Sequence, residues 1–338
     1  MNKSILVVGY FGYVNDQLDG QTARTRSVYQ LVKEKLPNSE IKYFDTQSLQ
    51  RNKLKIISLF MLLFQHSILI YMPGKNNLKK LLPIINLISK VKKLDIIHIA
   101  IGGWLYEYLS KNRKHGNILR KFKAVLLQSK GLSEALRKDF NLQNAHVLNN
   151  FRSHNYTPKT PSKRNKLKVV FMARIVKEKG LDVVFSFAEY VKNKGKNIEI
   201  SFYGPIAAKD RDYFYKNIEK YSFTQYLGVL KMNDIYPALS EHDILVLPTR
   251  YEGEGFPGSI LDAYIAGLPV VVSNWKLLPE FVEENKTGFI IDSEEEFISS
   301  LLYLYQQPEH LNQMKKSAHK KSKEYSTENA WEILKKYL

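Results

Sequence analysis

The chain alternates short apolar runs with segments of helical period, and it does so twice. In the first half the runs are SILVVGYF (4–11), EIKYFDT (40–46), SILIYM (67–72), LDIIHIAI (94–101), AVLLQS (124–129) and AHVLNN (145–150). Most are apolar without interruption, as expected of strands covered by helices on both faces of a parallel sheet. Helical segments such as RTRSVYQLVKEKL (24–36) and LSEALRKDF (132–140) lie between them. The stretch RSHNYTPKTPSKRNK (152–166), with two prolines and five basic residues, breaks the pattern and reads as a linker or exposed loop. The alternation then restarts with LKVVFMAR (167–174), IEISFYG (198–204), DILVLPT (243–249) and LPVVVS (268–273). Helices are predicted near 180–194, 209–221, 233–240, 258–266 and 294–306, with two more in the tail. The fold class is therefore α/β, with two doubly wound, Rossmann-like parallel-sheet domains facing a cleft. The predicted domains are 1–155 and 156–320, with 321–338 a C-terminal helix that crosses back to the first domain. Ligands of such sheets sit beyond the carboxyl ends of the strands.

Composition narrows the chemistry. No cysteine is present, which excludes disulfides, thiolate zinc sites and cysteine nucleophiles. Of the formal net charge of +18, residues 1–155 carry 25 Lys and Arg against 9 Asp and Glu, or +16. Residues 156–338 carry 26 against 24, or +2. Such a basic half suits an anionic membrane surface, a phosphorylated lipid or a nucleic acid, and a merely lysine-rich surface is the plain alternative. The N-terminal MNKSILVVGYFGY reads as a first strand rather than a signal peptide. The longest apolar run, Ile56 to Met72, is broken by Gln65, His66 and Ser67 and reads as a helix followed by a buried strand. With Arg51, Lys53 and Lys55 ahead of it, the 51–64 stretch either touches a membrane surface or packs under its own domain.

Two stretches carry candidate site chemistry. Arg174 ends one predicted strand, and Lys179 follows just before Gly180 opens a helix. Two cations and a helix N-terminus at a strand's carboxyl end suit an anion such as a diphosphate, and surface salt bridges are the plain alternative for so common a spacing. The second stretch, EGEGFPGSILDAYIAGLPVVVS, runs from Glu252 to Ser273. Here Gly255 and Gly258 allow close backbone approach. Glu254 in the loop and Asp262 one turn into the helix are acids able to accept hydrogen bonds from a sugar and a ribose.

Arg174, Lys179 and Gly180, with Glu254-Gly255-Phe256-Pro257, Asp262-Ala263 and AGLPVV, resemble the donor-binding half of glycosyltransferase family 4. These are retaining enzymes of the GT-B fold that use nucleotide sugars. GYFGYVNDQLDGQTART resembles the family's first-strand loop, and LQSKGLSEALRKDF with VLNNF its domain-closing segment. The resemblance implies that Arg174 and Lys179 hold the donor diphosphate and neutralise its charge as it leaves. It implies that Glu254 takes hydrogen bonds from the donor sugar, Asp262 from the ribose, and that the amides of Gly258, Ser259 and Ile260 cap the diphosphate. Gly204 and Pro205 would line the nucleotide cleft, Leu230 would meet the base, and Gly20 would face the diphosphate. Asp262 departs from the family, which has a glutamate there. Where many members carry an acceptor-side histidine, this chain has Gly102, Gly103 and Trp104. His98, nearby, is either a packed core histidine or a participant.

The implied reaction moves a hexosyl group, with a UDP-sugar favoured as donor, to a saccharide or polyprenyl-diphosphate-linked acceptor in bacterial polysaccharide or capsule synthesis. No side-chain base, cofactor or metal is required, since the nucleotide sugar is a co-substrate and the two cations neutralise the leaving group. Asp210-Arg211-Asp212 has the Asp-x-Asp form of metal-dependent transferases but is expected to be surface acids on a helix. The implied location is cytoplasmic, peripheral at the inner face of the cell membrane. A non-catalytic GT-B partner subunit is the first alternative. A nucleic-acid-binding protein would explain the charge but not the Glu254–Asp262 stretch, so no nucleic acid is expected as partner. An epimerase of similar shape should lack Glu-Gly-Phe-Pro.

Overall fold

The computed structural model describes residues 3–15, 17, 19–159 and 166–338. Asp16 and Leu18 of the first loop, and residues 160–165 of the linker stretch, lie outside the described residues. The chain divides into two compact units. The first comprises Met1–Arg152, Gly253–Phe256 and Thr327–Leu338; the second comprises Ser153–Glu252 and Pro257–Ser326.

The first unit is built on β1 (Ser4–Gly9), β2 (Glu40–Asp45), β3 (Ile68–Met72), β4 (Asp95–Ile99), β5 (Ala124–Leu127) and β6 (Ala145–Val147). They form one sheet in the order β2-β1-β3-β4-β5-β6, with every pair parallel. Ile5, Leu6, Val7 and Val8 are all fully buried, so neither face of β1 meets water. That is why these strands read as unbroken apolar runs rather than alternating ones. Strand β2 is the exception. It lies at the edge, exposes Tyr43 and carries a Glu40–Lys42 pair at 2.8 Å, which blunts an otherwise free edge. The first helix, Gly20–Lys35, starts at Asp19 in a capping box with Thr22, and its Val28, Leu31 and Val32 enter the core. Ala330, Leu334 and Leu338 of the C-terminal segment join the same core beside Leu148 and Phe151. The 56–72 run folds as read: a helix Lys55–Gln65, then β3. Among the described residues, no helix is long and apolar enough to cross a membrane.

The second unit repeats the plan with β7 (Leu167–Met172), β8 (Ile198–Tyr203), β9 (Thr224–Tyr226), β10 (Ile244–Leu247), β11 (Val270–Ser273) and β12 (Gly288–Ile291). Its order is β12-β11-β10-β7-β8-β9, again all parallel. Numbered within the unit, that is 6-5-4-1-2-3, the doubly wound order whose connections reverse direction between β7 and β10. The edge strands β9 and β12 had no counterpart in the sequence reading. Thr224–Tyr226 contains no apolar run, and Gly288–Ile291 is only four residues long. Three helices of the first unit, Lys75–Val91 with Pro83 inside it, Leu105–Lys111 and Arg113–Leu119, fill connections for which the alternation implied helices without bounds.

Among the described residues of the second unit, Lys315 and Asp243 form a largely buried ion pair. Lys315 donates to Asp243 at 2.7 Å, and Asp243 also accepts from the amide of Lys168 at 2.8 Å beneath β7. Removing one partner leaves the other charge inside the protein. Lys315→Ala is therefore expected to cost about 3 kcal/mol in urea unfolding.

Candidate active site

Strands β7 and β10 lie side by side, so their carboxyl ends mark the reversal point of the second sheet, where doubly wound folds bind ligands. Beyond β7 the chain reaches Arg174, which is exposed and forms no ion pair with a described residue. A 3-10 turn, Lys177–Lys179, follows, and Gly180 leads into the helix Leu181–Lys194. The turn is held from several sides. The amide of Lys177 donates to Asp210 Oδ2 at 3.1 Å, and the carbonyl of Glu178 accepts from the amide of Arg250 at 2.8 Å. Gly180 has φ +85°, and a Cβ there would lie 2.1 Å from the carbonyl oxygen of Pro248, so only glycine lets the turn sit this close to the β10 loop. Lys179 is half-buried, with its Nζ 4.8 Å from the centre of the Tyr251 ring. The ring face favours the cation and holds it at the strand ends.

Asp210 corrects the sequence reading. It is buried rather than a surface acid, because its carboxylate is the acceptor that anchors the Lys177 amide. Asp212 is exposed, as expected.

The strand-end loop of β8 supplies Gly204 and Pro205. Gly204 has φ +133°, and a Cβ would meet the carbonyl oxygen of Ala173 at 1.9 Å. Its amide donates to Gly228 at 2.9 Å, and Pro205 accepts from the amide of Ile175 at 2.9 Å, drawing the β8 and β9 loops against the one that carries Arg174. Pro205 is exposed and Leu230, on the extended chain after β9, is half-buried.

The helix Gly258–Ile265 begins after Pro257 with no side-chain cap. The amides of Gly258 and Ser259 have no partner among the described residues. Ile260 differs from the expectation that it would join them. Its amide donates to Pro257 O at 3.2 Å, because the first turn closes on itself, and it is engaged within the helix. Asp262 is buried one turn in. Its charge opposes the fall in pKa that burial and the neighbouring His319 impose on His154. The second acid is thus seated beside a half-buried imidazole that the sequence reading had not singled out.

Gly253–Phe256, immediately before this helix, belongs to the first unit. Gln128, at the carboxyl end of β5, organises it. Gln128 Oε1 accepts from the amides of Gly102 at 3.0 Å and Phe256 at 3.4 Å, and Asn150 Nδ2 donates to Phe256 O at 3.4 Å. A Cβ on Gly255 would lie 2.4 Å from Gln128 Oε1 and 2.8 Å from Gly102 Cα. Gly102 itself has φ +82°. Gly103 donates to Gly253 O at 3.4 Å, and Trp104 Nε1 donates to Ile101 O at 2.6 Å. Gln128 was missed, although a polar residue closing an otherwise apolar strand run was a signal for it. Glu254 is buried, whereas Glu252 is exposed and paired with Lys276 at 2.6 Å. Gly20 is exposed at the start of the first helix, where Asp19 already accepts from the amides of Gln21 and Thr22 at 2.9 Å.

His98 is fully buried in β4, with Nδ1 3.0 Å from Tyr71 O. Burial pulls its pKa down to about 4. It is a core residue, neutral at pH 7. The unfolded chain takes up that proton near the ordinary histidine value, so stability is present above about pH 6.5 and lost as pH falls towards 4. Urea unfolding at pH 5 should show roughly 2 kcal/mol less stability from this group than at pH 7. In His98→Gln that slope should flatten.

Residues 153–321 match the family model described as "Glycosyl transferases group 1". The chain belongs to that family. The alpha-monoglucosyldiacylglycerol synthase of Acholeplasma laidlawii is 28% identical over 164 residues, covering 47% of this chain and 40% of that protein. The amylovoran biosynthesis glycosyltransferase AmsK of Erwinia amylovora is 29% identical over 130 residues, covering 37% and 32%. The matches to these curated relatives thus span two fifths of their length or less. The Anabaena protein Alr3699/HepE, solved in complex with UDP and glucose, superposes with a TM-score of 0.77 over 99% of both chains at 14% identity. That likeness bears out the GT-B fold expected for a group 1 glycosyl transferase.

Proposed function

We propose that this group 1 glycosyl transferase moves a hexosyl group from a UDP-sugar to a saccharide or lipid-linked saccharide in bacterial polysaccharide or glycoconjugate synthesis, with retention and without a metal. One observation carries the reading. Arg174, Lys179 and the uncapped amides of Gly258 and Ser259 stand on loops around the carboxyl ends of β7 and β10, at the reversal point of the second sheet. A nucleoside diphosphate leaving the sugar there would find fixed cations and amides where negative charge develops, which lowers the barrier without reorganisation. Glu254, four residues ahead of Gly258, takes hydrogen bonds from the sugar hydroxyls. Asp262 serves the ribose, being one methylene shorter than the family glutamate. The leaving phosphate oxygen accepts the proton of the attacking hydroxyl, so no side-chain base is needed. The UDP and glucose of the Anabaena complex, and the polysaccharide named for the Erwinia relative, support the donor and pathway class. A lipid-linked acceptor would be met at the inner face of the membrane.

Thermal shift against UDP, GDP and dTDP tests the donor. Binding to the folded state alone stabilises by RT ln(1 + [L]/Kd), so UDP at 100 times its Kd should add about 2.7 kcal/mol and stand clear of the others. Release of UDP from its sugars should persist in EDTA. No shift with any nucleotide would end this reading.

A further inference from the structure

The helix Lys55–Gln65 is apolar on two opposite sides. Leu59 and Leu63 are buried against the first unit. On the opposite side Leu54, Ile57, Met61 and Phe64 are 70%, 57%, 54% and 51% exposed. At 3.6 residues per turn these four fall within an arc of roughly 80°. They form one apolar stripe along the outside of the helix, too continuous to be scattered surface leucines. The neighbouring helix Lys75–Val91 adds Leu87 and Val91, which are 62% and 76% exposed. Lys92, directly after Val91, ties the two helices together, donating to the carbonyls of Phe64 and of His66, the latter at 2.6 Å.

The sequence around this stripe carries charge of one sign. Residues 46–94 contain nine Lys and Arg and not one Asp or Glu. Lys53, Lys55, Lys79, Lys80, Lys90 and Lys93 are exposed and form no ion pair with a described residue. An apolar stripe flanked by unneutralised lysines is not what a solvated face needs. It is what a helix lying in the plane of an anionic bilayer needs: side chains that enter the acyl boundary and ammonium groups at the level of the headgroup phosphates.

We infer that the outer face of Lys55–Gln65, with Leu54, Ile57, Met61 and Phe64 as its inserting residues, docks the protein onto an anionic lipid surface. The inference deepens the lipid-linked acceptor reading and rests on it only in choosing a lipid surface over a protein as the occupant. The apolar set supplies the insertion, the lysines select anionic over neutral lipid, and their share is screened by salt.

Co-sedimentation with vesicles tests it, using phosphatidylcholine alone and phosphatidylcholine mixed with phosphatidylglycerol. The protein should sediment with the mixed vesicles, remain in solution with the neutral ones, and be released by salt. Ile57→Ser/Met61→Ser/Phe64→Ser should bind about tenfold more weakly or worse. Lys53→Gln/Lys55→Gln should lose roughly fivefold per lysine. All these side chains point outward, so circular dichroism and the melting temperature should be unchanged. A UDP-induced thermal shift retained in each variant separates failure of docking from failure of the donor reading. Vesicle binding by the serine variant equal to wild type would overturn the inference. So would equal binding to neutral vesicles. A wild-type dimer that the serine substitutions convert to monomer, without lipid binding, would assign the stripe to a second copy of the chain instead.

Discussion

Lys179→Ala should lower turnover of the donor on the order of 100- to 1000-fold while leaving the melting temperature nearly unchanged. The size follows from the place that the proposed function gives this group beside the donor diphosphate. A preorganised donor at a developing anion acts where water is displaced and need not reorient during the reaction. Lys179 fits that description because its turn is fixed from three directions, by Asp210, by the β10 loop through Arg250 and by the glycine-only approach of Gly180 to Pro248. The loss should appear in kcat more than in KM, since under the proposed function the charge it would meet grows as the sugar–phosphate bond breaks. Lys177→Ala is the matched control. Lys177 sits two residues away on the same turn, but its Nζ lies 4.2 Å from the centre of the Tyr213 ring. Its removal should leave turnover within about threefold of wild type, as for a surface substitution outside the site. Equal losses in the two variants would show that the turn matters only as a scaffold. Wild-type turnover in Lys179→Ala would remove the diphosphate from this place altogether.

How far the site was legible depends on how local its signals are. The unbroken apolar runs exposed the two parallel sheets because burial on both faces leaves no polar alternation to hide them. The strand-end cations and the Glu254–Asp262 loop were legible because motif spacing within one βα connection is a property of neighbouring residues. What escaped was decided across the fold. Thr224–Tyr226 becomes a strand only because β8 offers it an edge, and nothing in the three residues requires it. Asp210 looked like one of a pair of surface acids until the fold laid the Lys177 amide over it, 33 residues away in sequence. Gln128 meets the amide of Phe256 from 128 residues away, so its role in shaping the glycine loop has no local signature. The same limit applied to the 51–64 segment. Its composition allowed a membrane face or a packed one, and the fold gives the helix a packed side, with Leu59 and Leu63 inward, and an exposed apolar side of four residues, on which the docking proposal rests.

Gly204→Ala should cost the second unit about 4 kcal/mol, the largest stability loss expected of any single methyl group at the site. Two penalties combine. The backbone at φ +133° lies where L side chains are rarely found, which costs about 1 to 3 kcal/mol. The new Cβ would also stand 1.9 Å from the carbonyl oxygen of Ala173, and a main-chain atom at the end of a buried strand cannot swing aside as a side chain would. Relief requires β8 and β7 to part at their carboxyl ends, where the amide of Ala173 donates to Tyr203 O at 3.1 Å and that of Ile175 to Pro205 O at 2.9 Å. Gly195→Ala separates the two penalties. Gly195 also has a positive φ, +57°, but nothing lies within 4 Å of its Cβ position, so it should lose only about 1 kcal/mol. Urea midpoints and melting temperatures of the two variants against wild type measure the difference, with a fall of roughly 10 °C expected for Gly204→Ala. Because the strain is relieved by moving the loop that carries Arg174, the UDP-induced thermal shift should shrink in Gly204→Ala and stay intact in Gly195→Ala. Equal stability losses in both would mean that backbone conformation alone, and not the closeness of β7 to the β8 loop, holds glycine at 204.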